Sequence, residues 1–255
     1  MFSEYSALGI VHKILKMHIK PGDFCIDATS GNGHDSVYLC ELAGKEGHLL
    51  AMDIQQDAVD STKKNLEEHG FSEMSEVICI SHSNIDKFAE PNSADCIVFN
   101  FGWLPGGSHD VFTRAETSIP AIKKSLDILK PGGMLSLCVY YGRNNGYSER
   151  DAILEFVSSL PGAQYNVMKC DFLNRPNDPP FPIFIIKDKE YFCRNKLKKN
   201  AAKKLFRRVF YHKILTILNF SLKKHLIFIK NVVIYIIRHI ILIFKEKKWQ
   251  KEKNG

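Results

Sequence analysis

Two features of this chain suit chemistry on a nucleoside: the run Asp27-Ala28-Thr29-Ser30-Gly31-Asn32-Gly33 and, twenty residues after it, Asp53. Glycines at a strand-to-helix turn let the backbone approach a ligand closely, and amides at the start of the next helix point at it. An acid ending the following strand accepts hydrogen bonds from both ribose hydroxyls. Each feature has a plainer counterpart, since Gly-rich turns also serve packing and a carboxylate there also caps a helix. Together, at this spacing, they select the nucleoside reading. A dinucleotide fingerprint places three glycines under its pyrophosphate. Here Thr29 stands at the first of those positions and only the Gly31-x-Gly33 pair remains. A sulfonium nucleoside has no phosphate and tolerates that loss. Ser81-His82-Ser83-Asn84 closes the third strand and puts His82 where an adenine amino group would lie, although a surface histidine accounts for it nearly as well.

These residues need a frame of alternating helices and strands. Leu8, Val11, Leu15 and Ile19 predict an amphipathic helix over residues 4–17, and Lys20-Pro21-Gly22-Asp23 breaks it ahead of a strand at 24–28. A helix at 34–42, a strand at 48–52, a helix at 56–68 and strands at 77–80 and 94–100 follow. A helix over 113–129 is expected to be interrupted near Pro120, and the turn Lys130-Pro131-Gly132-Gly133 opens a strand at 134–140. A helix at 148–160 leads to strands at 164–171 and 183–186. Alternation of this kind implies a mostly parallel sheet covered on both faces. The last two strands are joined by a Pro-rich turn without a helix, so they pair as an antiparallel hairpin at the sheet edge. The fold class is therefore α/β, a Rossmann-like seven-stranded sheet with a C-terminal hairpin.

Charge divides the chain. Residues 191–255 hold 18 Lys/Arg against Glu246 and Glu252, whereas residues 1–190 hold 17 Lys/Arg against 26 Asp/Glu, a net of −9. The domain reading is a folded part at 1–190 and a basic, apolar-rich tail at 191–255. A charge near the middle of the apolar stretch 225–244 (Lys230, Arg238) argues against a bilayer span. Three readings of the tail stay open: amphipathic helices on an anionic membrane surface, phosphate contacts for RNA, or translated sequence under no selection. The seven cysteines form no C-x-x-C pair and five fall in expected strands, which indicates reduced, buried thiols in the cytoplasm rather than a metal site.

The motifs resemble a known family. Asp27 through Gly33 with His34-Asp35, Met52-Asp53-Ile54-Gln55, Ser81-His82 and Asn100-Phe101-Gly102-Trp103-Leu104-Pro105-Gly106-Gly107 are similar to bacterial tRNA 5-aminomethyluridine methyltransferases, once described as rRNA methylases. Thr113-x-x-x-Thr117, Ala121-Ile122, Gly132-Gly133, Tyr140-Tyr141-Gly142, Gly146-x-x-Glu149 and the Pro182–Lys187 stretch continue the likeness, which spans residues 1–190. The resemblance implies a class I methyltransferase that converts 5-aminomethyl(-2-thio)uridine at tRNA position 34 to its methylaminomethyl form. It implies S-adenosylmethionine held by Asn32, Asp53, Gln55 and His82. The full expected cofactor set is Asp27, Ala28, Gly31, Asn32, Gly33, Asp53, Ile54, Gln55, Ser81 and His82. Arg143 departs from the family pattern, which has a histidine after the glycine.

An aliphatic amine has a pKa of about 10, so it must be desolvated, deprotonated and aligned before it can attack. Asn100 is expected to orient it, helped by the carbonyls of Phe101, Gly102, Trp103 and Leu104. The Pro105-Gly106-Gly107 turn lets a splayed base approach, Trp103 or Tyr141 stacks on that base, and His109 or Asp110 takes the proton. Packing explains Trp103 and Tyr141 equally well, and explains His109 better. tRNA is the expected partner, with homodimerisation and membrane-surface contact left open. Competing readings are methylation of rRNA or another amine, a nicotinamide-dependent oxidoreductase, and a cofactor-binding adaptor without catalysis.

Overall fold

The computed structural model describes residues 4–102, 112–142 and 146–195, together with 197 and 200. The chain divides into two compact units, Met1–Arg194 and Asn195–Gly255, and the described residues lie almost wholly in the first. Among them no helix is long and apolar enough to cross a membrane. Apart from residues 191–195, 197 and 200, the tail on which those readings fall lies outside the described residues.

In the first unit, α1 (Ala7–His18) starts at Ser6, whose hydroxyl accepts from the Gly9 amide at 3.0 Å, and it buries Ala7, Val11 and Leu15 on one stripe. Strand β1 (Phe24–Asp27), α2 (His34–Ala43), β2 (His48–Asp53) and α3 (Gln56–Glu68) follow. After β3 (Ser75–Cys79) the crossover to β4 (Ala94–Phe101) carries only a 3-10 helix, His82–Lys87. Then come α4 (Ala115–Ile128), β5 (Leu129–Val139), α5 (Gly146–Ser158), β6 (Tyr165–Lys169) and β7 (Phe181–Lys187).

The strand order is β3-β2-β1-β4-β5-β7-β6. β7 runs antiparallel to both β5 and β6, and the other neighbours are parallel, so the expected class I sheet with its terminal hairpin is what forms. Central strands are buried on both faces and read as apolar runs. Ile26, Leu50, Ile97, Phe99 and Leu135 pack with Ile122, Leu126, Ile153 and Val157 of α4 and α5. Cys25, Leu49, Ala51, Cys96 and Val98 face the other way, against Val11, Leu15, Leu39, Cys40 and Leu66 of α1, α2 and α3.

Two expectations are corrected. α4 is not interrupted at Pro120 but runs through it. The proline lies near the helix start and forfeits one intrahelical bond, to Glu116, while Ser118 reaches back to the Arg114 carbonyl at 2.9 Å. The Lys130–Gly133 segment is part of β5 rather than a separate turn, accommodated by a register shift against Ala94 and Cys96. Gly132 has φ +92° there, a conformation that favours glycine.

Glu149 at the start of α5 ties the neighbouring elements together. Its carboxylate accepts from the Ser118 hydroxyl at 2.5 Å and the Thr113 hydroxyl at 2.8 Å. The Thr113 hydroxyl in turn accepts from the Gly102 amide at 2.8 Å, and the Thr113 amide donates to the Gly102 carbonyl at 2.9 Å. The two ends of the 103–111 segment are thereby joined at its base. Glu149→Ala leaves these hydroxyls without an acceptor and should lower unfolding free energy by about 2–3 kcal/mol, read by urea denaturation. Glu149→Gln keeps an acceptor and should cost less.

Candidate active site

The sheet order reverses between β1 and β4, and a crevice beyond the carboxyl ends of those strands is where this class of sheet binds ligands. The 27–33 loop leaves β1 there. The Ala28 amide donates to the Val98 carbonyl and the Ser30 amide to the Met52 carbonyl, both at 3.0 Å, so the loop is stitched to β4 and β2. Gly31 (φ +53°) and Gly33 (φ +81°) take left-handed conformations. A Cβ on Gly33 would sit 2.9 Å from the Thr62 Cα, so α3 closes on the loop only because that residue is glycine. Thr62 Oγ1 donates to the Gly31 carbonyl at 3.0 Å, and Asn65 Nδ2 donates to the Asn32 carbonyl at 3.1 Å.

Asp53 spans two backbone segments. Its Oδ2 accepts from the Gly31 amide at 3.0 Å and its Oδ1 from the Gln55 amide at 2.9 Å. Each oxygen keeps a further acceptor site, which suits a pair of ribose hydroxyls. Ile54 beside it is 62% exposed, an apolar surface at the crevice rim. Ser81 caps the 3-10 helix after β3, accepting from the Ser83 amide at 3.3 Å. The His82 ring stands edge-on to Phe99 and Phe101, with centroids 5.9 and 6.2 Å away. Burial pulls its pKa down to about 4, so it is neutral. His82 Nε2 and Ser30 Oγ are buried and find no partner among the described residues. Orphaned polar atoms of this kind, with the glycine cradle and Asp53, fit a nucleoside that supplies the missing contacts.

Asn100 ends β4 facing this loop. Its amide donates to Thr29 Oγ1 at 2.7 Å, and its side-chain Nδ2 donates to Asp35 Oδ2 at 2.7 Å. Phe101 contributes no side chain to the crevice: it is fully buried, stacks on Phe99 at 5.0 Å, and its carbonyl accepts from the Tyr140 amide. Gly102 likewise has both backbone groups committed to Thr113. The Tyr141 ring meets Phe181 and Tyr147 edge-on at 5.5 and 5.9 Å, with the Arg150 guanidinium 4.9 Å from its centroid. Trp103, Leu104, Pro105, Gly106, Gly107, His109, Asp110 and Arg143 lie outside the described residues.

Sequence reasoning gave no role to Asp35, His12, Ser36 or Thr29. Asp27 is fully buried and accepts from the Ser36 hydroxyl at 2.6 Å and the Thr29 amide at 3.3 Å. Burial, and then the charge of Asp35, raise its pKa from 3.8 to about 7, against the lowering effect of those hydrogen bonds. The folded state thus holds this proton more tightly than the unfolded chain. Asp27 favours folding at low pH, and that contribution is lost as pH rises from 3.8 through about 7. Asp27→Asn carries no such titration, and its amide can donate to Ser36. Thermal melts across that window should show the variant gaining on the wild type as pH rises.

The chain is similar to known proteins. Residues 49–186 match the sequence profile of the family described as "Putative rRNA methylase". A chloroplastic tRNA (mnm5s2U34)-methyltransferase of Arabidopsis thaliana is 35% identical over 188 residues, covering 70% of this chain and 69% of that protein. A structure from Clostridium thermocellum, described as an rRNA methylase, superposes with a TM-score of 0.70 at 35% identity, covering 73% of this chain and all of the other. A Streptococcus mutans methyltransferase solved in complex with S-adenosylhomocysteine gives 0.65 at 34% identity, over 73% of this chain and 99% of its own. With a match over more than half its length and relatives of this closeness, the chain belongs to the rRNA methylase family of methyltransferases.

Proposed function

We propose that this chain uses S-adenosylmethionine to methylate the primary amine of 5-aminomethyl(-2-thio)uridine at tRNA wobble position 34, giving 5-methylaminomethyl(-2-thio)uridine. The relative from Arabidopsis, named for that modified nucleoside, supports the substrate, and the Streptococcus mutans complex supports the cofactor. The observation that carries the reading is the Asn100 amide, held at the mouth of the nucleoside loop by Asp35 and Thr29. Its Oδ1 has no partner among the described residues and is an acceptor for an amine N–H.

S-adenosylmethionine supplies an electrophilic methyl on a sulfonium sulfur; the amine nitrogen gains that methyl, the carbon–sulfur bond breaks, and one proton leaves. The residues of this chain bind, align and exclude water. Asp53 would take the ribose hydroxyls, Gly31 and Gly33 would admit the nucleoside against the backbone, and Ile54 and His82 would hold the adenine. Asn100 draws an N–H toward Oδ1, which turns the nitrogen lone pair toward the methyl. Alignment of this kind is worth several kcal/mol of barrier because the attack must be in line. Proton acceptance is assigned to His109 or Asp110, and base stacking to Trp103 or Tyr141, with Pro105 and Gly106 shaping the approach. All seven cysteines are unpaired thiols, as suits a reducing cytoplasm.

Incubating the protein with S-adenosylmethionine and tRNA bearing 5-aminomethyluridine, then digesting to nucleosides, should show that nucleoside gaining one methyl group by mass spectrometry. Methylation of rRNA with the tRNA amine untouched would replace this reading with the ribosomal one. Asn100→Ala should keep S-adenosylmethionine affinity within about twofold in calorimetry while losing about 100-fold in single-turnover methylation. Unchanged turnover would remove Asn100 from the mechanism.

A further inference from the structure

We propose that Asp35 and His12 are positioning residues that lock the Asn100 side chain with its oxygen toward the amine, so that a chain of contacts running from α1 through α2 to β4 sets the reactive geometry. The inference rests on the amine-methylating reading of the site and adds two residues to it.

An asparagine amide presents either its oxygen or its NH2 to a ligand, and the two ends have nearly the same shape. Only the oxygen can accept an amine N–H and so orient the nitrogen lone pair. Something must therefore decide which end faces the crevice. Asp35, the second residue of α2, does this by accepting from Asn100 Nδ2 through its Oδ2 at 2.7 Å. A carboxylate accepts and never donates when ionised, so it bonds the NH2 end and rejects the oxygen. A charged acceptor on the nitrogen also polarises the amide and strengthens Oδ1 as an acceptor, because hydrogen bonds in series reinforce one another.

Asp35 is itself held. Its other oxygen, Oδ1, meets His12 Nε2 at 2.7 Å, across 23 residues of sequence. The His12 ring stacks on Tyr38, centroids 4.2 Å apart and planes at 20°, and the Tyr38 hydroxyl donates to the His12 carbonyl at 3.0 Å. Both faces of the arrangement are thus fixed by helix positions and not by loops. The Asp35 side chain is 14% exposed and that of His12 is 27% exposed, so the bonds are largely shielded from water. Asn100, at the far end, is further restrained by its backbone bond to Thr29. Neither Asp35 nor His12 needs to touch the substrate for its loss to be felt at the nitrogen.

The test uses the full-length protein, S-adenosylmethionine, and tRNA bearing 5-aminomethyluridine. Asp35→Ala should lower kcat about 100-fold with KM for S-adenosylmethionine within about twofold, the pattern of a misaligned but occupied site. Asp35→Asn has one oxygen in place of two and an NH2 that can bond Asn100 Oδ1. It keeps the contact without dictating its direction and should restore kcat only in part, to about tenfold below the wild type. His12→Phe keeps the stack on Tyr38 and should cost about tenfold in kcat. A kcat for Asp35→Ala within about twofold of the wild type would overturn the proposal even with the methylation itself confirmed. A second readout does not depend on turnover: the side-chain amide protons of Asn100, followed by NMR, should exchange slowly in the wild type and quickly in Asp35→Ala. Should the wild-type protein leave the tRNA amine unmethylated, the proposed function fails by itself. The exchange measurement then still decides the positioning, and equal exchange rates in the two proteins would refute it.

Discussion

The parallel pairing of β1 with β4 is the constraint on which the site depends. Cys25, Ile26 and Asp27 lie in register with Cys96, Ile97 and Val98. The ladder then continues past the strand ends, with the Ala28 amide on the Val98 carbonyl and the Asn100 amide on the Thr29 hydroxyl. The last of these bonds is made by a side chain where the ladder would otherwise end. It fixes the nucleoside loop and the end of β4 as one piece, so the spacing between them is set by strand geometry. A bond within a buried sheet is stronger and better shielded than the same bond in a loop. The end of β4 is therefore positioned by the central strands of the sheet.

The same logic explains the glycines and hydroxyls around it. Gly33 lets α3 approach to contact distance, and once there Thr62 and Asn65 satisfy the loop carbonyls that the left-handed turns expose. On the other side, Glu149 collects Ser118 and Thr113, and through Thr113 fixes Gly102. Burial, opposed by its two hydroxyl bonds, raises the pKa of that carboxyl, so its place there is costly and its hydrogen bonds are what offset the cost. At the opposite end of α4, Lys187 has only 3% of its surface exposed and donates to the carbonyls of Leu126 and Leu129 and to Asn92 Oδ1. It satisfies the groups a helix end leaves open, which holds α4 against the sheet.

Much of this frame was legible in the sequence because it follows local periodicity. α3 forms over the residues that the pattern marks, 56–68, since Ala58, Val59, Thr62 and Leu66 fall on one helical face. Strands β1, β2 and β4 start where the apolar runs start. The Gly31-x-Gly33 turn and Asp53 were legible because glycines and an acid stand at particular element ends. What was not legible is contact between distant segments. Thr29 read as a missing glycine, whereas its hydroxyl ties the loop after β1 to the end of β4. Asp35 stands 65 residues from the Asn100 it bonds, and no spacing rule marks such a pair. Phe101 follows Asn100, whose side chain faces the loop, yet strand alternation turns its ring into the core. Pro120 signalled a break by its type alone, yet α4 runs through it and forfeits one intrahelical bond.

Three carboxylates converge on this crevice, and each is used on both sides. Asp53 bridges the amides of Gly31 and Gln55, Asp27 takes Thr29 and Ser36, and Asp35 takes Asn100 and His12. Burial, and then the neighbouring charge of Asp35, raise the pKa of Asp27, so holding these carboxylates close together opposes folding. Apolar residues of similar size would fold at least as well there, since a buried charge contributes stability only where its partners are complete. The arrangement is better explained as preorganisation: donors fix every carboxylate before a ligand arrives, so no reorientation is needed at the moment of reaction. The cost is borne in charge, not in backbone geometry, and the surrounding sheet is large and apolar enough to carry it.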